Sequence, residues 1–248
     1  MAASKLRLDQ LLVARALFAS REKAQRAIMA GAVTVNEQRI DKPGTRVPED
    51  AQIAVQAGDR YVGRGGLKME AALAHFGLSP EGKTCLDIGA STGGFTDCLL
   101  QHGAAKVWAI DVGHSQLDWK IRSDPRVVVR EKLNARYLTS ADIPEPIDLC
   151  VIDVSFISLT LILPPAAALL SNGGVIVSLI KPQFELRKED VSKGGIVRDP
   201  ALHERAVEKL RRFVETLPAL CWGGLIESPI LGGEGNKEFL ACLRAVSA

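Results

Sequence analysis

Four charged side chains fall where they cannot serve as core: Lys68 in GRGGLKME, Asp153 in VIDVSF, Lys181 in LIKPQF and Glu238 in GNKEFL. Asp153 follows CVI and Lys181 follows VSLI, so each ends an apolar run that reads as a strand. In open α/β sheets the C-terminal ends of the strands form the ligand crevice. Two such charges at neighbouring strand ends, Asp153 and Lys181, are candidates for chemistry in that crevice. The same four could also form a structural ion-pair network at a sheet edge.

A second cluster is LDIGASTGGFT, residues 86–96. It follows a strand-like run and opens a helix-like one, the context in which a glycine turn binds a nucleotide. Glycines let the backbone pass close to a ligand, and a helix N-terminus offers free amides. The spacing is neither GxGxxG nor that of a P-loop, which weighs against a pyrophosphate and so against an NAD enzyme. Asp87 lies in the strand before the turn. Asp111 ends the next strand, where a carboxylate can grip ribose hydroxyls. The candidate cofactor set is Asp87, Gly89, Ala90, Ser91, Thr92, Gly93, Gly94, Phe95, Asp111 and Asp153, with Asn134 bordering the base. Such a set suits a nucleoside that carries a sulfonium and no pyrophosphate.

The elements that must position these groups alternate: strands at 84–90, 106–111, 127–131, 148–154 and 174–181, with helices from about 94 and near 158–170. Strands alternating with helices predict a mostly parallel sheet covered on both faces, an α/β fold. A long helix over about 201–217 and strands near 221–228 and 237–245 complete it. The uncharged run 156–180 is interrupted by Pro164-Pro165 and by Ser171-Asn172-Gly173-Gly174, so it reads as buried helix, turn and buried strand, not as a membrane span.

The first sixty residues differ. Leu8, Leu11, Leu12, Ala16, Ala24, Ala27 and Ile28 recur at helical spacing, with Ser20 as a candidate N-cap and Gly31 as a candidate C-cap. Short strands VTVN and AQIAV follow. The net charge of the 248-residue chain is only +2, yet this segment holds ten Lys/Arg against seven Asp/Glu. Lys5, Arg7, Arg15, Arg21, Lys23 and Arg26 lie on or beside its helices and suggest a polyanion contact; a solvated helix face is the plainer alternative. The predicted domains are 1–60, a linker at 61–67 and 68–248. The five cysteines are scattered without a CxxC pair, which excludes a zinc site or disulfide framework and fits the reducing cytoplasm; no metal is expected.

The run RLDQLLVARALFASREKAQRAIMAGAVTVN resembles the alpha-L RNA-binding module of the small-subunit ribosomal protein four type, in which two helices lay a basic face on structured RNA. LDIGASTGGFT with Asp111 resembles the S-adenosylmethionine site of Rossmann-like class I methyltransferases. Lys68–Asp153–Lys181–Glu238, in that order, resembles the tetrad of FtsJ-type RNA 2′-O-methyltransferases. GRGGLKMEAAL, LDIGASTGGFT, KPQFE and SPILGGEGNKEFL together make the whole chain similar to the TlyA family, haemolysin-named enzymes that methylate cytidine ribose in ribosomal RNA. Gly63 stands where that resemblance leads one to expect serine. The resemblance implies S-adenosylmethionine as cofactor and ribosomal RNA or ribosomal subunits as partner. It implies Lys181 as the base, Lys68 as a neighbouring cation and positioner, and Asp153 and Glu238 as orienting carboxylates. Arg64 would guide the RNA backbone or serve the domain hinge.

Two rivals remain. A cytolysin needs a membrane-active apolar element, and none is legible here. A binding module without catalysis needs the basic face but not the tetrad. DNA is not an expected substrate, because Val154-Ser155-Phe156 follows Asp153 in place of the Pro-Pro that base-amine methylation favours.

Overall fold

The computed structural model describes residues 5–55, 60–233 and 235–246, and the chain divides into two compact units between Arg60 and Tyr61. In the first unit β1 (Lys5–Arg7) runs into α1 (Leu8–Ala14), followed by α2 (Arg21–Met29), β2 (Val33–Val35), β3 (Gln38–Arg39), β4 (Arg46–Pro48) and β5 (Ile53–Val55). β1 pairs with β4, and β2 is the centre of a three-stranded sheet between β3 and β5. The helical apolar stripe closes on itself: Leu8, Leu11, Leu12, Ala24 and Ile28 bury against Val33, Val35 and Val47. Ser20 Oγ accepts from Lys23 N at 3.3 Å, and Gly31 follows α2 at φ +71°, a left-handed turn that glycine takes without a Cβ penalty.

The second unit begins with α3 (Gly65–Phe76), β6 (Thr84–Ile88), α4 (Gly94–Gln101), β7 (Lys106–Asp111), α5 (Trp119–Arg122) and β8 (Val127–Glu131). It continues with β9 (Ile147–Ile152), α6 (Leu163–Ala167), β10 (Leu170–Ile180), α7 (Pro182–Glu185), α8 (Pro200–Glu215), β11 (Leu220–Glu227) and β12 (Phe239–Ala245). The seven strands lie in the order β11-β12-β10-β9-β6-β7-β8. β10, β9, β6, β7 and β8 pair in parallel, and β12 is inserted antiparallel between β10 and β11. The chain order reverses between β6 and β9, which opens a crevice at their C-terminal ends. One face of the sheet is covered by α3 and α4 through Met69, Leu73, Phe95 and Leu99; the other by α6 and α8 through Leu163, Ala166, Leu210 and Val214.

Three expectations are corrected. The segment 61–67 is not a free linker: Tyr61 is buried in the core of the second unit, Val62 N donates to Asp97 Oδ2 at 2.9 Å, and α3 already begins at Gly65. The glycines of this segment are close-packing positions, since a Cβ on Gly66 would lie 2.2 Å from the Tyr61 ring. The region 158–170 is not one helix but a 3₁₀ turn at 159–161 followed by the short α6. The expected turn at 171–174 is instead an irregularity within β10, where pairing with β9 slips between Leu170 and Val175 and Gly173 takes φ +76°.

Candidate active site

The glycine turn is built on β6. Gly89 takes φ +87° and Gly93, at the N-cap of α4, φ +95°. A Cβ on Gly89 would come within 2.3 Å of the Asp153 carbonyl oxygen, so the turn and the end of β9 are in contact that only glycine permits. Asp153 N also donates to Ile88 O at 2.9 Å. Asp111 accepts from Ser91 N at 2.9 Å and from Gly113 N at 2.7 Å, fixing the carboxylate beside the turn. Asp87 lies underneath: it has no exposed surface, and its Oδ2 accepts from Thr96 Oγ1 at 2.7 Å while Oδ1 has no partner. Burial pushes its carboxyl up to about 7, with Asp153 adding to the rise and the Thr96 hydroxyl opposing it.

Two cavities open above the strand ends. The larger, about 450 Å³, is walled by Gly89, Ser91, Ile110, Asp111, Val112, Leu133, Asn134, Arg136, Asp153 and residues 154–157. The smaller, about 210 Å³, is walled by Arg64, Gly65, Lys68, Gly89, Ala90, Ser91, Thr92, Gly94, Phe95 and Asp153. Gly89, Ser91 and Asp153 are common to both, so the two form neighbouring parts of one crevice.

Four residues far apart in sequence meet at its edge. Lys68 Nζ donates to Glu238 Oε2 at 2.5 Å, a pair whose side chains are 10% and 3% exposed. Lys181 Nζ stands 2.5 Å from Asp153 Oδ1 and donates to Ser155 Oγ at 2.9 Å. The Lys181–Asp153 contact is a close ion pair but not an aligned hydrogen bond, so that Oδ1 keeps an unused acceptor direction. Each amine is held by its own carboxylate, and Lys68 and Asp153 share the smaller cavity with the glycine turn. Glu238 is seated under Gly232, where a Cβ would come 2.4 Å from Glu238 Oε1.

Of the expected cofactor residues, Asp87 and Gly93 line neither cavity; the others do. Arg64 is exposed on the rim of the smaller cavity. In the first unit Lys5, Arg21, Lys23 and Arg26 are exposed and Arg7 is half-buried. Arg15 differs from the expectation: its guanidinium donates to Ala51 O at 2.7 Å and to Glu49 O, so it ties α1 to the loop before β5. Asp9, not among the expected residues, is fully buried and accepts from Arg7, Arg21 and Gln25. The Arg7 hydrogen bond leads in holding it well below the usual carboxylate range. Its signal was present in RLDQLL, an acid on the apolar stripe of a helix. Ser155 was also unanticipated, although its place just past a strand end pointed to it.

A doubly wound sheet with a reversed seventh strand, a glycine turn after β6 and an acidic end to β7 define a Rossmann-like methyltransferase domain. The FtsJ-like methyltransferase family matches residues 61–245 and the S4 domain matches residues 6–53, and the chain belongs to the FtsJ-like methyltransferase family with an S4 domain ahead of it. The 16S/23S rRNA (cytidine-2′-O)-methyltransferase TlyA of Mycobacterium tuberculosis is 44% identical over 98% of this chain and 91% of its own. Hemolysin A of Brachyspira hyodysenteriae is 45% identical over 95% of this chain and 98% of its own. A solved structure bearing the hemolysin name, from Streptococcus thermophilus, superposes with a TM-score of 0.74 at 46% identity, covering 100% of this chain and 90% of that one. No helix among the described residues is long and apolar enough to cross a membrane.

Proposed function

We propose that this chain methylates the ribose 2′-hydroxyl of a cytidine in ribosomal RNA, with S-adenosylmethionine as donor, on ribosomal subunits in the cytoplasm. The observation that carries the reading is the pairing of Lys68 with Glu238 and of Lys181 with Asp153 around the cavity formed by the Gly89–Phe95 turn. The cytidine-2′-O-methyltransferase activity in the name of the TlyA relative supports the substrate class.

The residues present suit the donor. Asp111, locked by two backbone amides, offers its remaining lone pairs to ribose hydroxyls, and Ile110, Val112, Leu133 and Ile162 offer an apolar slot for a base. Asp87 acts from below, through the shape of the turn. S-adenosylmethionine, when bound, supplies a methyl group activated by its sulfonium. With its amine neutral, Lys181 Nζ would take the proton of the ribose hydroxyl, and the oxygen so freed would bond to the methyl carbon as the methyl–sulfur bond breaks, its electron pair leaving with the sulfur as the thioether of S-adenosylhomocysteine. Asp153 aims Lys181. Lys68, aimed by Glu238, is a fixed positive charge that steers the hydroxyl toward the turn. The acceleration comes chiefly from alignment of the attacking oxygen. In the first unit Arg7 and Arg21, braced on Asp9, with Lys5, Lys23 and Arg26, form the phosphate-binding set.

The deciding experiment is methyl transfer from labelled S-adenosylmethionine to ribosomal RNA. Lys181→Ala is expected to lose at least about 100-fold in rate while retaining cofactor binding. Full activity in that variant would remove Lys181 from the mechanism. Mapping 2′-O-methylated positions with and without the protein identifies the nucleotide.

A further inference from the structure

β9 and β10 are neighbours, and their ladder ends at the pair Ile152–Ser178. Asp153, Ser155 and Lys181 all lie beyond it, where no ladder bond sets their separation. What joins the two outgoing segments is a row of side-chain contacts. Lys181 Nζ donates to Ser155 Oγ at 2.9 Å, Phe184 packs on Phe156 with ring centroids 5.0 Å apart, and Glu185 reaches the next turn. Glu185 Oε1 accepts from Leu159 N at 2.7 Å and Oε2 from Ser158 Oγ at 2.6 Å. From α8, Lys209 Nζ donates to Glu185 Oε2 at 3.0 Å and to the Glu185 carbonyl at 2.7 Å.

Glu185 is the anchor of this row. Its side chain is 1% exposed, and a buried carboxylate is tolerated only with its charge paired and its oxygens bonded, as here. Phe156, by contrast, is 91% exposed and sits at φ +63°, a strained conformation for a non-glycine residue. Strain of that kind persists only where the surroundings over-determine it. The loop at 153–159 has little burial of its own to hold it at Phe156, so the constraint comes from its two ends: the Asp153–Ile88 backbone bond on one side and Glu185 on the other.

We infer that Glu185 is a positioning residue for methyl transfer: it braces the loop after β9 against the segment after β10, and thereby sets where Asp153, Ser155 and Lys181 stand. It touches neither cavity, so it acts through them. Lys209 is its external counter-charge. The inference rests on the function proposed above, and its test separates the two.

Glu185→Gln and Glu185→Ala are compared with wild type for kcat and KM on ribosomal RNA, for cofactor-binding stoichiometry by calorimetry, and for amide hydrogen exchange. Glu185→Ala is expected to lower kcat about 30-fold, since displacements near 1 Å at a reacting centre cost up to about 100-fold. KM for RNA and Kd for the cofactor stay within about threefold, and one cofactor still binds per chain. The amides of 154–159 exchange faster while those of 89–95 do not. Glu185→Gln keeps an acceptor for Leu159 N and the same shape, folds where the alanine variant fails, and loses about tenfold. Lys209→Met loses about threefold, because Lys209 is 43% exposed. A kcat within twofold of wild type in Glu185→Ala, unchanged exchange at 154–159, or a loss of rate that merely tracks lost cofactor-binding protein would each overturn the brace. An inactive wild type would instead refute the proposed reaction, and the exchange result would still decide the brace.

Discussion

Asp9 in the first unit and Asp87 in the second are both without exposed surface, yet they are driven in opposite directions. Asp9 receives two arginines and a glutamine, and the Arg7 hydrogen bond outweighs burial, so its carboxylate stays charged far into acid. Asp87 receives only neutral donors, the hydroxyl and backbone of Thr96, and lies near Asp153 and Asp111, so burial wins and its carboxyl rises to about 7. Burial alone therefore says nothing about charge; the donors that reach the carboxylate decide it. The first arrangement presents two arginines, 40% and 50% exposed, in fixed positions outward. The second keeps a protonatable group under the glycine turn.

The largest effect that would break this contrast is Asp9→Ala, which removes the anchor of Arg7 and Arg21. It should cost about 3 kcal/mol of folding stability at pH 7, at the lower end for a broken buried pair because both arginines are partly solvated. The depressed value of Asp9 means that its contribution is present above the unfolded value near 3.8 and fades as the pH falls below it, so the variant and wild type converge in acid. Urea denaturation at pH 7 and pH 3 reads both. Thr96→Val comes next. It removes the side-chain donor to Asp87, and should cost about 2 kcal/mol at pH 8, where the carboxylate is ionised, and about 1 kcal/mol at pH 5, where it is not. Equal costs at the two pH values would show that Asp87 does not titrate between them. The smallest change is Asp87→Asn, expected within about 1 kcal/mol of wild type at pH 7. Wild type, with a folded value of about 7 above the unfolded 3.8, should lose stability as the pH rises from about 4 to 7 and level off beyond it; the variant should lack that slope. A slope unchanged by the substitution would assign it to another group.

Much of the site was legible in order along the chain. Lys181 and Asp153 announced themselves because a charge at the end of an apolar strand has few other uses. The turn announced itself because glycines clustered between strand and helix. The junction misled: 61–67 read as a linker, but there Gly63, Gly65 and Gly66 admit Thr92, Phe95 and Tyr61 at close range. Arg15 also has an internal use that sequence could not show, because the carbonyls of a distant loop are brought to it only by the fold.

From its one-dimensional order this chain determined most of the main strands and helices, that a basic module precedes an α/β domain, and which residue types are candidates for chemistry. Those follow from local periodicity and from the cost of burying charge. The tertiary structure alone decided which lysine meets which carboxylate, that Glu185 reaches across two strand ends, and that Asp87 lies under the turn and not in the crevice. Partners separated by up to 170 residues, as Lys68 and Glu238 are, are joined only when α3 packs on the sheet beside the start of β12, and no local pattern encodes that meeting.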